Sequence, residues 1–319
     1  MISSLSLPAS IDIGSHSSLL LIAGWEEHEG KRRLEAKVQK IEVVRLGEGL
    51  NRQGLIGPER LLELRNALIR FRQTVHALGA EIHSVVLTEA VRKAQNQQEV
   101  LALVEEVLWT PPRVLSGDEE AFLSWAAVAH WHGNDQVTID VGGGSSELSQ
   151  GSDFLSIPVG ALRLKTQFGV IPGPEYKKWA KETLAEYEWK PFAKKRVTLV
   201  GGTATALAML HLKLPKFDVK PIEGLELTLE DLERSISRVS NISKELRPQL
   251  PGLEKGRSEV IICGLFWIRT LLEKLKVDHF QISTLGLRFG VLLDEDIVAE
   301  LRPPTKKTRN TRANVEAHS

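Results

Sequence analysis

The sequence predicts an α/β protein of two lobes with a cleft between them, and three observations carry that expectation. At 319 residues the chain is long enough for two domains, each with its own core. β-rich stretches alternate with helical periodicity along most of it, a pattern that favours parallel strands joined through helices beside a few hairpins. The octapeptide IDIGSHSS at 11–18 also returns as IDVGGGSS at 139–146, identical at five of eight places and 128 residues later, about one lobe further on.

The first lobe opens with strands at 10–14 and 18–23, paired as a hairpin around Gly14 and Ser15, and a third strand at 36–44. Pro58 starts a helix that places Leu61, Leu64, Leu68, Phe71, Val75 and Leu78 on one face, and Gly79 ends it. A strand at 82–88, a helix at 97–108, a short strand at 113–115 and a helix at 118–131 complete the lobe. The second lobe repeats the opening: strands at 136–141, 146–150 and 154–158, with a glycine turn at 142–144. Helices are expected at 161–168 and 175–187, then a strand at 196–200 running through Gly201 and Gly202 into a helix at 203–212. Thr228 and Asp231 form a capping box for the next helix. A buried helix at 257–275, a strand at 279–283 and a closing helix at 285–295 finish the fold. The expected division is 1–124, 125–302 with its last helix packing back on the first lobe, and a disordered basic tail at 303–319 carrying Lys306, Lys307, Arg309 and Arg312.

Composition narrows the class. Hydrophobic residues make up 42% and charged residues 26%, as in a soluble globular protein, and Lys+Arg and Asp+Glu both number 41. No global field therefore points to nucleic acid or to a membrane. Cys263 stands alone, so no intramolecular disulfide forms. No leader pattern or span-length apolar run is present, and a cytoplasmic location is expected.

The repeated turn has a chemical reading. Glycines let consecutive backbone N–H groups converge on an anion, and serine hydroxyls add donors. Gly14, Ser15, His16 and Ser17 in the first copy, and Gly142, Gly143, Gly144, Ser145 and Ser146 in the second, are the candidate phosphate ligands. Asp12 and Asp140, at the strand ends, repel phosphate and suit a divalent cation instead. The copies then differ: Leu19 follows the first, Glu147 the second, so Asp140 and Glu147 form a carboxylate pair where Asp12 has no partner.

On these residues the chain resembles the Ppx/GppA family, exopolyphosphatases and guanosine pentaphosphate phosphohydrolases that share the fold of actin, the heat-shock ATPases and the sugar kinases. The matching blocks, in family order, are IDIGSHS, TEAVRKAQN, LSGDEEA, DVGGGSSE, IPVGALRL, VGGTATALA and ISTLGLRFG. The resemblance implies two actin-like domains in the short form without the further C-terminal helical domain. It implies Glu120 as general base for the attacking water, and Asp140 and Glu147 as holding magnesium (or manganese), with Asp12 as a further candidate ligand, or as orienting the water. Arg92 is implied as a phosphate clamp, and Gly201, Gly202 and Thr203 as binding nucleotide or the distal part of the substrate; His16, where the family usually has Asn, is read as a hydrogen-bonding turn residue. His16, Ala204 and Phe289 depart from the family's Asn, Gly and Glu. The activity implied is release of terminal phosphate from inorganic polyphosphate, by a homodimer. The alternatives are guanosine pentaphosphate as substrate, a kinase or ATPase of the same fold, and a non-catalytic alarmone binder.

Overall fold

In a computed structural model, the protein is described for residues 6–302 apart from 29, 49, 51–53, 244, 251–252, 254–257 and 259. The basic tail at 303–319 and the expected helix start at Arg257 lie outside the described residues.

Two mixed sheets form the lobes. The first contains β1 (Pro8–Ile13), β2 (Ser17–His28), β3 (Lys31–Val43), β4 (Glu81–Leu87) and β5 (Arg113–Val114), ordered β3-β2-β1-β4-β5. β1, β2 and β3 are antiparallel neighbours, while β4 and β5 add in parallel through helical crossovers. The hairpin strands outrun their sequence-predicted lengths because pairing of β2 with β3 carries the ladder from Ser17 to His28. α1 (Pro58–Ala77) buries Leu61, Leu64, Leu68, Phe71 and Val75 against the sheet. Leu78 does not join them; it caps the helix and is 48% exposed, because Gly79 at φ +60° already turns the chain away. α2 (Glu89–Lys93), α3 (Gln97–Leu108) and α4 (Gly117–His132) follow.

The second sheet contains β6 (Gln136–Val141), β7 (Ser146–Gln150), β8 (Asp153–Ile157), β9 (Arg196–Val200), β10 (Leu225–Thr228) and β11 (His279–Ile282). Its order, β10-β11-β9-β6-β7-β8, read from β8 repeats that of the first sheet and adds antiparallel β10 at the edge. Interspersed are α5 (Ala161–Phe168), α6 (Glu175–Ala185), α7 (Gly201–Leu212), α8 (Val219–Ile222), α9 (Leu229–Ser240) and α10 (Ile261–Leu275). The Thr228–Asp231 capping box is formed at α9. Duplicated turns thus sit in duplicated sheets, the α/β architecture of two lobes expected. Among the described residues, no helix is long and apolar enough to cross a membrane.

α4 joins the lobes. It packs on β6, β7 and β8, and its Ala127 and Val128 share an apolar cluster with Leu21 and Ala23 of β2. The expected boundary at residue 124 falls inside this unbroken helix. The closing helix is two pieces, α11 (Leu287–Gly290) and α12 (Glu295–Leu301), separated by a turn. α11 packs on α4, β1 and β2, so the chain end does return to the first lobe. The contact is backbone-close, since a Cβ on Gly290 would lie 2.0 Å from the Leu123 carbonyl oxygen. Phe289 is 3% exposed in the cluster between the sheets, where its apolar ring is worth roughly 1.5–3 kcal/mol. A charged residue at this place would be buried among Leu21, Ala127 and Val200.

Candidate active site

The two turns have the same local construction. Gly14 N–H donates to Ser17 O at 3.0 Å in the first, and Gly142 N–H to Ser145 O at 3.0 Å in the second. A Cβ at either glycine would press on that same carbonyl, at 3.2 and 3.3 Å. The tips meet across the cleft: a Cβ on Gly143 would come within 3.2 Å of His16 Cβ. The second turn is held from behind by α5, whose first amides at Ala161, Leu162 and Arg163 donate to the carbonyls of Gly142 and Gly143 at 2.8–3.1 Å. A cavity of about 460 Å³ lies at this junction, lined by both turns, by Glu89, Glu120 and Arg288, and by Gly201, Gly202 and Thr203.

Strand register explains the difference between the copies. Asp140 is the direct cross-strand partner of Glu147, whereas Asp12 at the equivalent place faces Leu19. Directly opposed residues project from the same face, so the second hairpin presents two carboxylates and the first presents one. Glu147 is 4% exposed and accepts from Ser156 Oγ at 3.1 Å. Burial lifts its carboxyl to about 7 despite hydrogen bonds from Ser145 and Ser156. Burial likewise pushes Asp12 up to about 6, with Arg288 pulling it back. Asp140 Oδ1 closes on Gly201, where a Cβ would come within 2.1 Å and where φ is +79°, so both space and backbone require glycine.

Glu120 enters from α4. Ser116 caps that helix in a capping box with Glu119, and Glu119 also pairs with Arg113 at 3.1 Å, so it faces away from the cleft. Glu120, about 100° further round, lines the cavity with its side chain 15% exposed. Burial, and then the charges of Glu147, Asp12 and Asp140, hold it well above the usual carboxylate range, with Arg92 opposing. Arg92 Nη1 lies 3.5 Å from Glu120 Oε2 and donates to the Leu115 carbonyl oxygen.

Most of the sequence-predicted residues therefore converge, with two corrections. Ser146 is fully buried; its hydroxyl donates to Val159 O and accepts from Trp267 Nε1 at 3.0 Å, so it faces the core as the alternation of β7 requires. Arg92 does not line the cavity and reaches it through Glu120. Thr203 lines it, but its hydroxyl is spent on Val141 O at 2.7 Å. Two residues were missed, Glu89 and Arg288. Both lie in blocks singled out in the sequence, TEAVRKAQN and ISTLGLRFG, but only the fold turns them toward the turns.

The residues fit a hard divalent cation. Asp12 Oδ1 is sealed from solvent without a hydrogen bond, and the carboxylates of Asp12, Asp140 and Glu147 offer oxygen ligands. No three of the five carboxylates lining the cavity bring oxygens within 4.8 Å of one another; among the described residues the one such group is the half-buried Glu26, His28 and Glu35. One or two carboxylates with phosphate and water completing the shell is the manner in which magnesium is held.

Comparison with known proteins decides the family. The profile of the Ppx/GppA phosphatase family matches residues 26–297. The chain belongs to the Ppx/GppA phosphatase family. The crystal structure of an Aquifex aeolicus Ppx/GppA family member is 28% identical and superposes with a TM-score of 0.72, covering 93% of this chain and 97% of that one. An exopolyphosphatase from Cytophaga hutchinsonii shares the fold with a TM-score of 0.78 at 21% identity, covering 93% and 99%. A bifunctional 3-dehydroquinate synthase/phosphatase of Fusobacterium nucleatum is 26% identical over 313 residues, 90% of this chain but 46% of that relative, so the chain spans under half its length.

Proposed function

We propose that this Ppx/GppA phosphatase is an exopolyphosphatase that releases terminal phosphate from linear inorganic polyphosphate by in-line attack of water. The observation that carries the reading is the position of Glu120, a half-buried carboxylate lining the cavity where both phosphate turns meet. The amides and hydroxyls of Ser15–Ser17 and Gly143–Ser145 orient consecutive phosphates. Glu120 Oε2 accepts the proton of the attacking water as oxygen bonds to phosphorus, and the bridging P–O bond breaks toward the shortened chain. Its raised proton affinity makes it a stronger proton acceptor than an exposed carboxylate. Magnesium or manganese, held by Asp140 and Glu147 with Asp12, would neutralise phosphate charge when bound. Arg92, through its bonds to Leu115 O and Glu120, keeps the base oriented and opposes the rise in its proton affinity.

A second reading has one specific observation in its favour. The cavity wall beyond Gly201 includes Phe217, Val260 and Ile261, an apolar surface that a purine base can cover. That supports the 5′-phosphate of guanosine pentaphosphate as substrate. One assay separates the readings: phosphate release with magnesium from polyphosphate, guanosine pentaphosphate and ATP, by wild type and Glu120→Gln. Polyphosphate turnover lost in the variant is expected. Turnover of ATP alone would favour a kinase-like ATPase, and binding of guanosine tetraphosphate without any turnover would favour a non-catalytic binder.

A further inference from the structure

Glu89 opens α2 and is 5% exposed, yet it lines the cleft. Its Oε2 accepts from Ser15 Oγ of the first turn at 3.1 Å. The same oxygen presses on the second turn, where a Cβ on Gly144 would lie 1.8 Å away. Its Oε1 lies 2.6 Å from Lys93 Nζ and 2.7 Å from Arg163 Nη2. One carboxylate thus touches both turns and binds two cations, one from each lobe.

These partners are the ones a phosphoryl group uses: a hydroxyl, a glycine with no side chain in the way, a guanidinium and an ammonium. Two cations against one carboxylate leave this cluster of three side chains with one more cation than anion. Arg163 Nε, moreover, is buried without a hydrogen-bond partner, so Glu89 leaves part of the guanidinium fork unused. Neither Arg163 nor Lys93 is among the residues lining the cavity; Glu89 is.

We propose that the junction of the two turns is a further phosphate subsite, occupied by the Glu89 carboxylate until an inner phosphoryl group of a linear substrate displaces it and takes over Arg163. The proposal rests on the reading of the turns as phosphate ligands. Displacement costs the contacts of one carboxylate, which a longer chain offsets through its other phosphates and pyrophosphate does not. Glu89 therefore discriminates against short substrates.

Calorimetric binding of pyrophosphate and tripolyphosphate, with magnesium and in a Glu120→Gln background that slows turnover, tests this. Glu89→Gln and Glu89→Ala are expected to tighten pyrophosphate at least tenfold and tripolyphosphate less, and adding Arg163→Gln is expected to abolish the gain. The proposal fails if parent binds tripolyphosphate and Glu89→Gln, melting close to it, binds pyrophosphate no tighter, or if the gain survives Arg163→Gln. Should Glu89→Ala unfold, the isosteric Glu89→Gln decides. No binding of either ligand to any variant would overturn the phosphate-turn reading itself, and this proposal with it.

Discussion

Asp140 and Glu147 are direct partners across the β6–β7 hairpin, at the register where the first lobe pairs Asp12 with Leu19. Making the second hairpin like the first, by Glu147→Leu, should cut phosphate release at least 100-fold. It should leave the melting temperature equal or higher, because a buried carboxylate with a disfavoured charge is removed. Loss of activity with loss of fold would instead make Glu147 structural.

Glu120 should control the rising limb of the pH–rate profile. Its proton affinity is raised, so wild-type kcat climbs as pH rises and the base ionises. Glu120→Gln should lose roughly 10²–10⁴-fold in kcat and show no such limb.

Arg92→Met removes the cation that opposes the rise in Glu120's proton affinity. The limb should then move to higher pH, with a lower kcat. Arg92→Lys keeps the charge but cannot bridge Leu115 O and Glu120 with one fork, so it should restore the position of the limb more fully than the rate.

Stability of the substrate-free, metal-free protein should fall with rising pH. Asp12 and Glu147 hold protons more tightly folded, to about 6 and about 7, than unfolded, at 3.8 and 4.5. Between the two sets of values the folded state binds more protons, so their contribution is full below about pH 4 and gone above about pH 7. Thermal melts from pH 4 to 8 check this, and Glu147→Gln should flatten the slope.

Gly160→Ala should damage the second turn selectively. Its Cβ would lie 2.5 Å from the backbone carbon of Gly143, which has no side-chain freedom to yield. A loss of about 1–3 kcal/mol in denaturant unfolding is expected, with a raised KM for polyphosphate. An unchanged KM would show that the turn does not need this support.

The outcome for individual residues shows what each level of organisation decides. The duplicated turn, the helix of Leu61–Val75 and the Thr228–Asp231 capping box were legible because each depends on neighbours a few residues away. So was the asymmetry of Leu19 and Glu147, since a hairpin's register follows from its turn. Ser146 was misassigned because its direction depends on which face of β7 the α10 residue Trp267 covers. Glu89 carried no signal, because its partners Ser15 and Arg163 lie 74 residues away on either side. The sequence by itself determined two lobes, two phosphate turns and their inequality, through short-range steric and hydrogen-bonding preferences. Only the tertiary structure decided which carboxylates share one low-dielectric cleft, and hence which of them hold their protons. Electrostatic coupling there depends on distance and burial across the sheets, which spacing along the chain does not encode.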